Sequence, residues 1–324
     1  MNAVTASAPG KVIVTGEYAV LDGAPAICMA VARRARVQIS LADDGQHKIT
    51  APGFRPDPRY FSNIAQAASE YPLLAAVWQQ LPARTERYLS FVLDSRDFVV
   101  ADKQKIGIGS SAAVAVALAA ALNQVDSGNA DVVATAMQAH RDFQGGSGSG
   151  ADIACSAQGG VVEYRMGGSP IVSRTWPPGL HYTLLWSGQS ADTQAKIKKF
   201  TATGSSASRS GLKNAAANVA AAWSESDAAQ FLAELAEYRD TLRRFDSDHD
   251  LGIFGAGHAE LADAATSGSV VYKPCGAGGG DLGIAMASNE SALDDFVELA
   301  SRSQFEKLEL AIDETGVELR GALN

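Results

Sequence analysis

Residues 105–122 constrain this chain more than any other stretch: Lys-Ile-Gly-Ile-Gly-Ser-Ser, then almost nothing but Ala, Val and Leu. The spacing predicts a helix over 110–122, opened by two glycines and a serine pair. It has no polar face, so it belongs in the interior rather than on the surface. Burying a whole helix requires cover on every side. The 324 residues allow roughly two domains, or one elaborate α/β unit, at about 100–200 residues per domain. A composition of 46% hydrophobic and 19% charged residues fits a globular chain with a sizeable core.

Around that helix the patterning alternates between strand and helix. Residues 12–15, 26–32 and 34–41 read as strands, the last through the alternation of Ala35, Val37, Ile39 and Leu41. A Pro/Gly-bearing loop is expected around 52–58 and a helix over 63–81, where Ile64, Ala67, Tyr71, Leu74 and Trp78 fall near helical spacing. Short strands are expected at 90–93, 98–100, 161–164 and 182–186, and a helix at 131–143. Residues 167–179, with three Pro and three Gly, are the expected join between halves. Helices follow at 192–203, 211–223 and 227–245, with a small polar connector at 204–210. Strands at 270–273 and 282–287 flank a glycine cluster, ahead of a helix at 292–303 and a strand at 308–312. Hairpins mixed with helices indicate an α+β fold rather than a regular βαβ array.

Three glycine-rich tracts carry the chemistry. The first is residues 105–113. A helix N-terminus offers free N–H groups and the positive end of the helix dipole, and glycines let an anion come close to them. Ser110 or Ser111 could cap the helix, bind phosphate or ligate magnesium, and a plain glycine turn with a serine cap fits equally. Gly107, Gly109 and Ala112 also satisfy GxGxxA with Asp126 further on, the dinucleotide fingerprint. However, residues 102–105 precede it, where a strand should run straight into the glycines. The GxxxxGK[ST] loop is absent, since the only Gly-Lys pair, Gly10-Lys11, has Thr5 in place of its first glycine. The second tract, residues 144–152, ends at Asp152, either a plain N-cap or a carboxylate over a phosphate site. The third, residues 273–281, has four glycines in five positions between two strand-like runs, which points to close backbone packing rather than a linker. Lys11, ahead of an apolar run, is either a solvated strand end or a fixed cation facing an anion.

The charge balance narrows the partners. Lys+Arg number 27 against 36 Asp+Glu, for a net charge of −9. Nucleic acid and anionic membrane surfaces call for a basic face, so neither is an expected partner. No run approaches about 18 consecutive apolar residues, and the first residues lack the basic and apolar regions of a secretory signal. Cys28, Cys155 and Cys275 are odd in number and far apart, with no disulfide framework or CxxC pair. A reduced, cytoplasmic protein is expected.

Taken together, the tracts resemble the GHMP small-molecule kinases, a family that includes galactokinase, homoserine kinase and mevalonate kinase. SAPGKVIVTGEYAVLDGAPAI resembles the family's first motif. KIGIGSSAAVAVAL resembles the second, the ATP-phosphate loop GLGSSAA with Ile108 for its Leu, and YKPCGAGGGDLGIA resembles the third. The order and spacing match from end to end. Lys105, the tract GSGSGADIA, residues 185–193 and the Tyr-Lys-Pro before the third motif are most similar to the branch acting on 5-phosphomevalonate. Galactokinases carry Arg at the position of Lys11.

The resemblance implies two α+β halves, a ribosomal-S5-like half at 1–168 and a ferredoxin-like half at 169–324, with the site between them. It implies transfer of the γ-phosphoryl group of ATP, with Mg2+, to 5-phosphomevalonate, in a monomer or homodimer. Lys11 and Asp152 would be catalytic. Lys105, Gly107, Gly109, Ser110, Ser111 and Ala112 would hold the nucleotide, with Ser111 on the metal. Glu17, Arg141, Ser147, Ser149, Thr193, Lys196 and Gly278 would join Lys11 around the acceptor, and Lys103 is a further candidate cation. Aligned from Asp152 without gaps, the family's magnesium-ligand glutamate falls on Arg141, between His140 and Asp142. An arginine there suits a second substrate phosphate. The rival readings are a kinase for an unphosphorylated alcohol such as mevalonate, a decarboxylase of the same family, a nucleotide-binding module without turnover, and a dinucleotide oxidoreductase.

Overall fold

Two sheets partition the chain. The computed structural model describes residues 3–82, 84–100, 104–126, 129–167, 170–202, 204–224, 228–266 and 269–323. The first sheet has eight strands. Its main path runs β12 (Glu318–Arg320), β1 (Ala3–Thr15), β2 (Ala26–Leu41), β5 (Leu89–Asp94), β3 (His47–Ala51), β4 (Arg55–Phe61), and β6 (Val161–Tyr164) and β7 (Val172–Arg174) branch from β2. All its pairings are antiparallel except β3 with β5. The second sheet is antiparallel, in the order β11 (Glu306–Leu308), β8 (His181–Trp186), β10 (Leu282–Ala287), β9 (Val270–Pro274).

The runs expected at 26–32 and 34–41 form one strand. The β1–β2 register jumps between Pro9↔Arg34 and Gly10↔Val31, leaving Ala32 and Arg33 as a bulge. Proline cannot donate to a ladder, so a bulge is where a strand tolerates it. The Ala32 N–H is satisfied by the Ala311 carbonyl at 2.9 Å. On the far side of β2, one end pairs with β5 and the other with β6.

The apolar helix is α2 (Ser110–Val125), and Ala112, Ala113 and every residue from 115 to 122 are buried. It lies on β1 and β2 and is flanked by α1 (Pro72–Gln80), α3 (Val132–Phe143) and α4 (Ala151–Gln158). Its alanines let neighbouring backbones come close at little entropic cost. In the second half, α8 (His258–Thr266) packs on β9 and α9 (Glu290–Arg302) on β8 and β10, while α6 (Ala207–Ser224) and α7 (Ala228–His249) pair with each other after α5 (Thr193–Ala202).

Several expectations need correction. The loop expected at 52–58 is largely strand β4, whose Pro56 and Pro58 sit on a sheet edge where a missing donor costs nothing. The helix expected at 63–81 is a 3-10 turn, Ile64–Ser69, then α1, because Pro72 can begin a helix but not continue one. Val99 makes only a bridge to Lys105 after a 3-10 turn at Arg96–Phe98, and Ile312 only a bridge to Val31. The connector at 204–210 is helical from Ala207. The division expected at 168/169 falls outside the described residues. β7 lies beyond it yet belongs to the first sheet, as does β12, so the chain returns to its first half at the end. Arg34 anchors that return through Asp313, at 2.5 Å. Among the described residues no helix is long and apolar enough to cross a membrane.

Candidate active site

The start of α2 is an open set of donors. Gly107 and Gly109 have φ of 88° and 76°, a left-handed conformation that glycine adopts without strain. Gly109 is the N-cap and no side chain caps the helix, so the serine pair lies inside it rather than at its cap. That disposes of the serine-cap alternative and leaves the first-turn N–H groups without a capping side chain. The Ala112 side chain is in the core, so only its backbone can face a ligand.

Lys11 reaches the same point from β1. Its N–H donates to the Ile108 carbonyl at 2.9 Å, which joins the glycine loop to the strand. A Cβ at Gly109 would lie 2.7 Å from Lys11 Cε, so the glycine is needed where the lysine passes over it. Among the described residues Lys11 Nζ makes no ion pair or hydrogen bond. It lines a cavity of about 140 Å³ together with Gly107, Ser149, Asp152, Thr193, Tyr18 and Asp281. Asp152 is the second residue of α4, not its cap. Its Oδ1 accepts from the Ile153 N–H at 2.9 Å, and its carboxylate is 22% exposed.

On the other side of the α2 start lies an apolar groove of about 210 Å³. Ser110, Ser111 and Lys105 line one end, and Phe54, Tyr71, Leu74, Phe98, Val114 and Phe143 line the rest. Between the two spaces is His140, 2% exposed. Its Nε2 is 3.0 Å from Ser111 Oγ and its Nδ1 3.7 Å from Asp152 Oδ2.

Other expected site residues are engaged elsewhere. Glu17 borders the cavity, but its Oε1 takes the Lys273 ammonium at 2.5 Å and its Oε2 accepts from the Tyr238 hydroxyl at 2.7 Å. Lys273 is fully buried and also donates to the Val14 carbonyl at 3.0 Å. This clamp ties β9 and α7 to the end of β1. Lys196 donates to the Leu251 and Gly252 carbonyls, both at 2.7 Å, and burial holds its ammonium below the usual lysine range. Gly278 lets the third tract pass against Ile253, where a Cβ would collide. Ser147 Oγ donates to the Gln144 carbonyl at 2.9 Å, and Arg141 is exposed on the last turn of α3; neither lines the cavity. Lys103 lies outside the described residues.

Sequence reasoning missed Tyr18, Asp281, His140 and the groove wall. Tyr18 holds a positive φ of 59° and donates to the Ala277 carbonyl at 2.7 Å, closing one side of the cavity. The Asp281 carboxyl packs where a Gly107 side chain would be, and burial raises it above the usual range. His140 was findable, because it falls with Ala136 and Ala139 on the helix face turned inward. Burial also pushes the Cys28 and Cys155 thiols up, which removes them as nucleophiles.

The donor set bears on magnesium. Among the described residues no group of three or more His, Cys, Asp or Glu side chains could cage a metal. Magnesium is usually held by one or two protein groups plus substrate phosphates, and Ser111 in the first turn of the uncapped helix α2, with Asp152 on α4, fits that pattern.

A family model for the N-terminal domain of GHMP kinases matches residues 98–160, the span from Phe98 through α2, α3 and α4. Residues 98–160 thus carry the sequence pattern of that domain, and the chain is similar to GHMP kinases along most of its length. A phosphomevalonate kinase of Streptomyces sp. (strain CL190) is 29% identical over 89% of this chain and 90% of its own. A mevalonate kinase of Aeropyrum pernix is 32% identical over 55% of each. The fold matches a Streptococcus pneumoniae phosphomevalonate kinase solved with phosphomevalonate and AMPPNP, with a TM-score of 0.80 at 18% identity over 96% of this chain and 100% of that one. The chain therefore has the α+β fold of the GHMP kinases, and the dinucleotide reading of its glycine tract falls away.

Proposed function

We propose that the protein transfers the γ-phosphoryl group of ATP to 5-phosphomevalonate. The bond from the γ-phosphorus to its bridging oxygen breaks, a bond to an oxygen of the acceptor phosphate forms, and ADP and 5-diphosphomevalonate leave. The observation that carries the reading is the Lys11 ammonium, without an ion pair among the described residues, at the open start of α2, where a cavity and an apolar groove meet. The groove suits a nucleoside, the helix start its phosphates and the cavity a small anionic acceptor. The length of the match to the Streptomyces relative supports the phosphorylated acceptor, since the archaeal mevalonate kinase aligns over only half of each chain.

A phosphate monoester sheds its second proton at a pKa of about 6, so near neutral pH the attacking oxygen is already anionic. The main barrier is bringing two anions together, and catalysis is positioning and charge neutralisation. Lys11 supplies the fixed cation, and the first-turn N–H groups of α2 hold the nucleotide phosphates. Asp152, which lines the same cavity, would position Lys11 or the metal rather than remove a proton. Ser111 would hold the magnesium ion, which when bound neutralises charge on the β- and γ-phosphates. Ser149 and Thr193 line the acceptor end. The reaction is placed in the cytoplasm, in a monomer or homodimer.

The test is an ATP-consumption assay with magnesium and a panel of acceptors. Turnover with 5-phosphomevalonate and little with mevalonate is expected. The reverse preference would replace the acceptor assignment, and carbon dioxide release would move the chain to the family's decarboxylases.

A further inference from the structure

We infer that His140 is a positioning residue that turns the Ser111 lone pairs toward the nucleotide side, its other ring nitrogen facing Asp152 on the acceptor side. The inference rests on the phosphoryl-transfer reading above. Its ground is a juxtaposition that the reaction as described does not use: a buried imidazole whose two nitrogens face two groups of the proposed machinery, from a third helix. Ser111 is on α2, Asp152 on α4 and His140 on α3. Nε2 lies 3.0 Å from Ser111 Oγ, and Nδ1 lies 3.7 Å from Asp152 Oδ2. The ring is fixed from behind by Phe143, at 6.1 Å between centroids and 29° between planes, and Phe143 itself lines the nucleotide groove.

The arrangement sets the direction of a proton. A neutral imidazole carries hydrogen on one nitrogen and a lone pair on the other. The Asp152 carboxylate at 3.7 Å is too far for a direct hydrogen bond, and of the two neutral tautomers it is the one with hydrogen on the facing Nδ1 that leaves Nε2 a lone pair for the Ser111 hydroxyl. Nε2 is then the acceptor and takes the hydroxyl hydrogen of Ser111. The serine lone pairs are left for a cation or for the donors around a phosphate. Without His140 the hydroxyl would rotate, and its hydrogen would compete for the side where oxygen is needed. Groups that orient a metal-binding side chain commonly matter by about 10–100-fold in metal affinity or activity.

The experiment compares wild type, His140→Ala and His140→Gln. The glutamine side-chain oxygen can accept the Ser111 hydroxyl hydrogen, which alanine cannot do. Three quantities are read: kcat and KM with ATP and 5-phosphomevalonate, magnesium-dependent binding of a non-hydrolysable ATP analogue by calorimetry without acceptor, and thermal stability. For His140→Ala we expect kcat to fall about 10–100-fold and the magnesium needed for analogue binding to rise by about tenfold. The KM for 5-phosphomevalonate should stay within about threefold, and His140→Gln should recover most of the magnesium dependence. Wild-type kcat and magnesium dependence in His140→Ala would overturn the inference. So would equal losses in both variants that follow their loss of thermal stability. If wild type binds the analogue yet fails to turn over 5-phosphomevalonate, the acceptor assignment falls, and the binding comparison still decides the role of His140.

Discussion

Among single residues, the sharpest contrast is between two lysines that look alike in the sequence. Lys11 and Lys273 each sit in a strand beside a glycine or a proline. Among the described residues Lys11 forms no ion pair, whereas Lys273 is wholly buried against Glu17. Identity and spacing cannot separate these outcomes, because the partner of Lys273 is 256 residues away in the chain. The same long-range pairing, with the Tyr238 hydroxyl, engages both carboxylate oxygens of Glu17, which still borders the cavity. Removing one member of a buried pair strands the other, at a cost of about 3–5 kcal/mol. Lys273→Met should therefore lower stability in urea by about that amount, and the double variant with Glu17→Leu should recover part of the loss. If Lys273→Met unfolds at the wild-type midpoint, the clamp is not structural. His258 bears on pH. It is buried between the Tyr272 hydroxyl, 2.7 Å from Nδ1, and the Gly280 carbonyl, 3.1 Å from Nε2, and burial lowers its pKa to about 4. The unfolded chain binds a proton there near pH 6.5, and the folded chain only near 4. The native state thus loses stability as pH falls through that window, by up to about 3 kcal/mol, and keeps it above 6.5. His258→Asn should flatten this acid side of the stability profile. An unchanged slope would show that other groups set it.

For the elements, legibility followed how local the determinant was. Helix α2 was readable because its composition alone excludes a surface position, and α3 because Asp131 caps it, accepting from the Ala134 N–H at 3.0 Å. The strand character of 55–61 was hidden by two prolines, since nothing local says that this strand lies at a sheet edge. The bulge that unites the two halves of β2 depends on Pro9 in the neighbouring strand. The close packing of α2 has a consequence of its own. Ala117 is fully buried, so Ala117→Leu should overpack the centre and cost about 1–3 kcal/mol in denaturant unfolding. A neutral result would mean that the helix has slack around it. At the other end, Gly109→Ala combines a disfavoured φ with a collision against Lys11. It should weaken ATP-analogue binding, measured by calorimetry, well beyond any loss of stability.

At the scale of the whole molecule, the tracts marked the site's two loops and its lysine, but not the walls. The groove proposed for the nucleoside is built from 51–54, 70–74, 93–99 and Phe143, a largely apolar set with no motif that converges only through the sheet and α1. The cavity beside it is closed by Tyr18, which packs on Phe200 and Phe245 from the second half, at 5.4 and 5.7 Å between centroids. These contacts bring residues of both halves, Thr193 and Asp281 among them, around the cavity that Lys11 lines, and the role of Lys11 there as the fixed cation is the central claim. Turnover of ATP with 5-phosphomevalonate by Lys11→Ala, set beside Asp152→Ala, tests it most directly. If charge neutralisation dominates, Lys11→Ala loses at least as much kcat as Asp152→Ala, on the order of a hundredfold or more. Near wild-type turnover in Lys11→Ala would contradict the account.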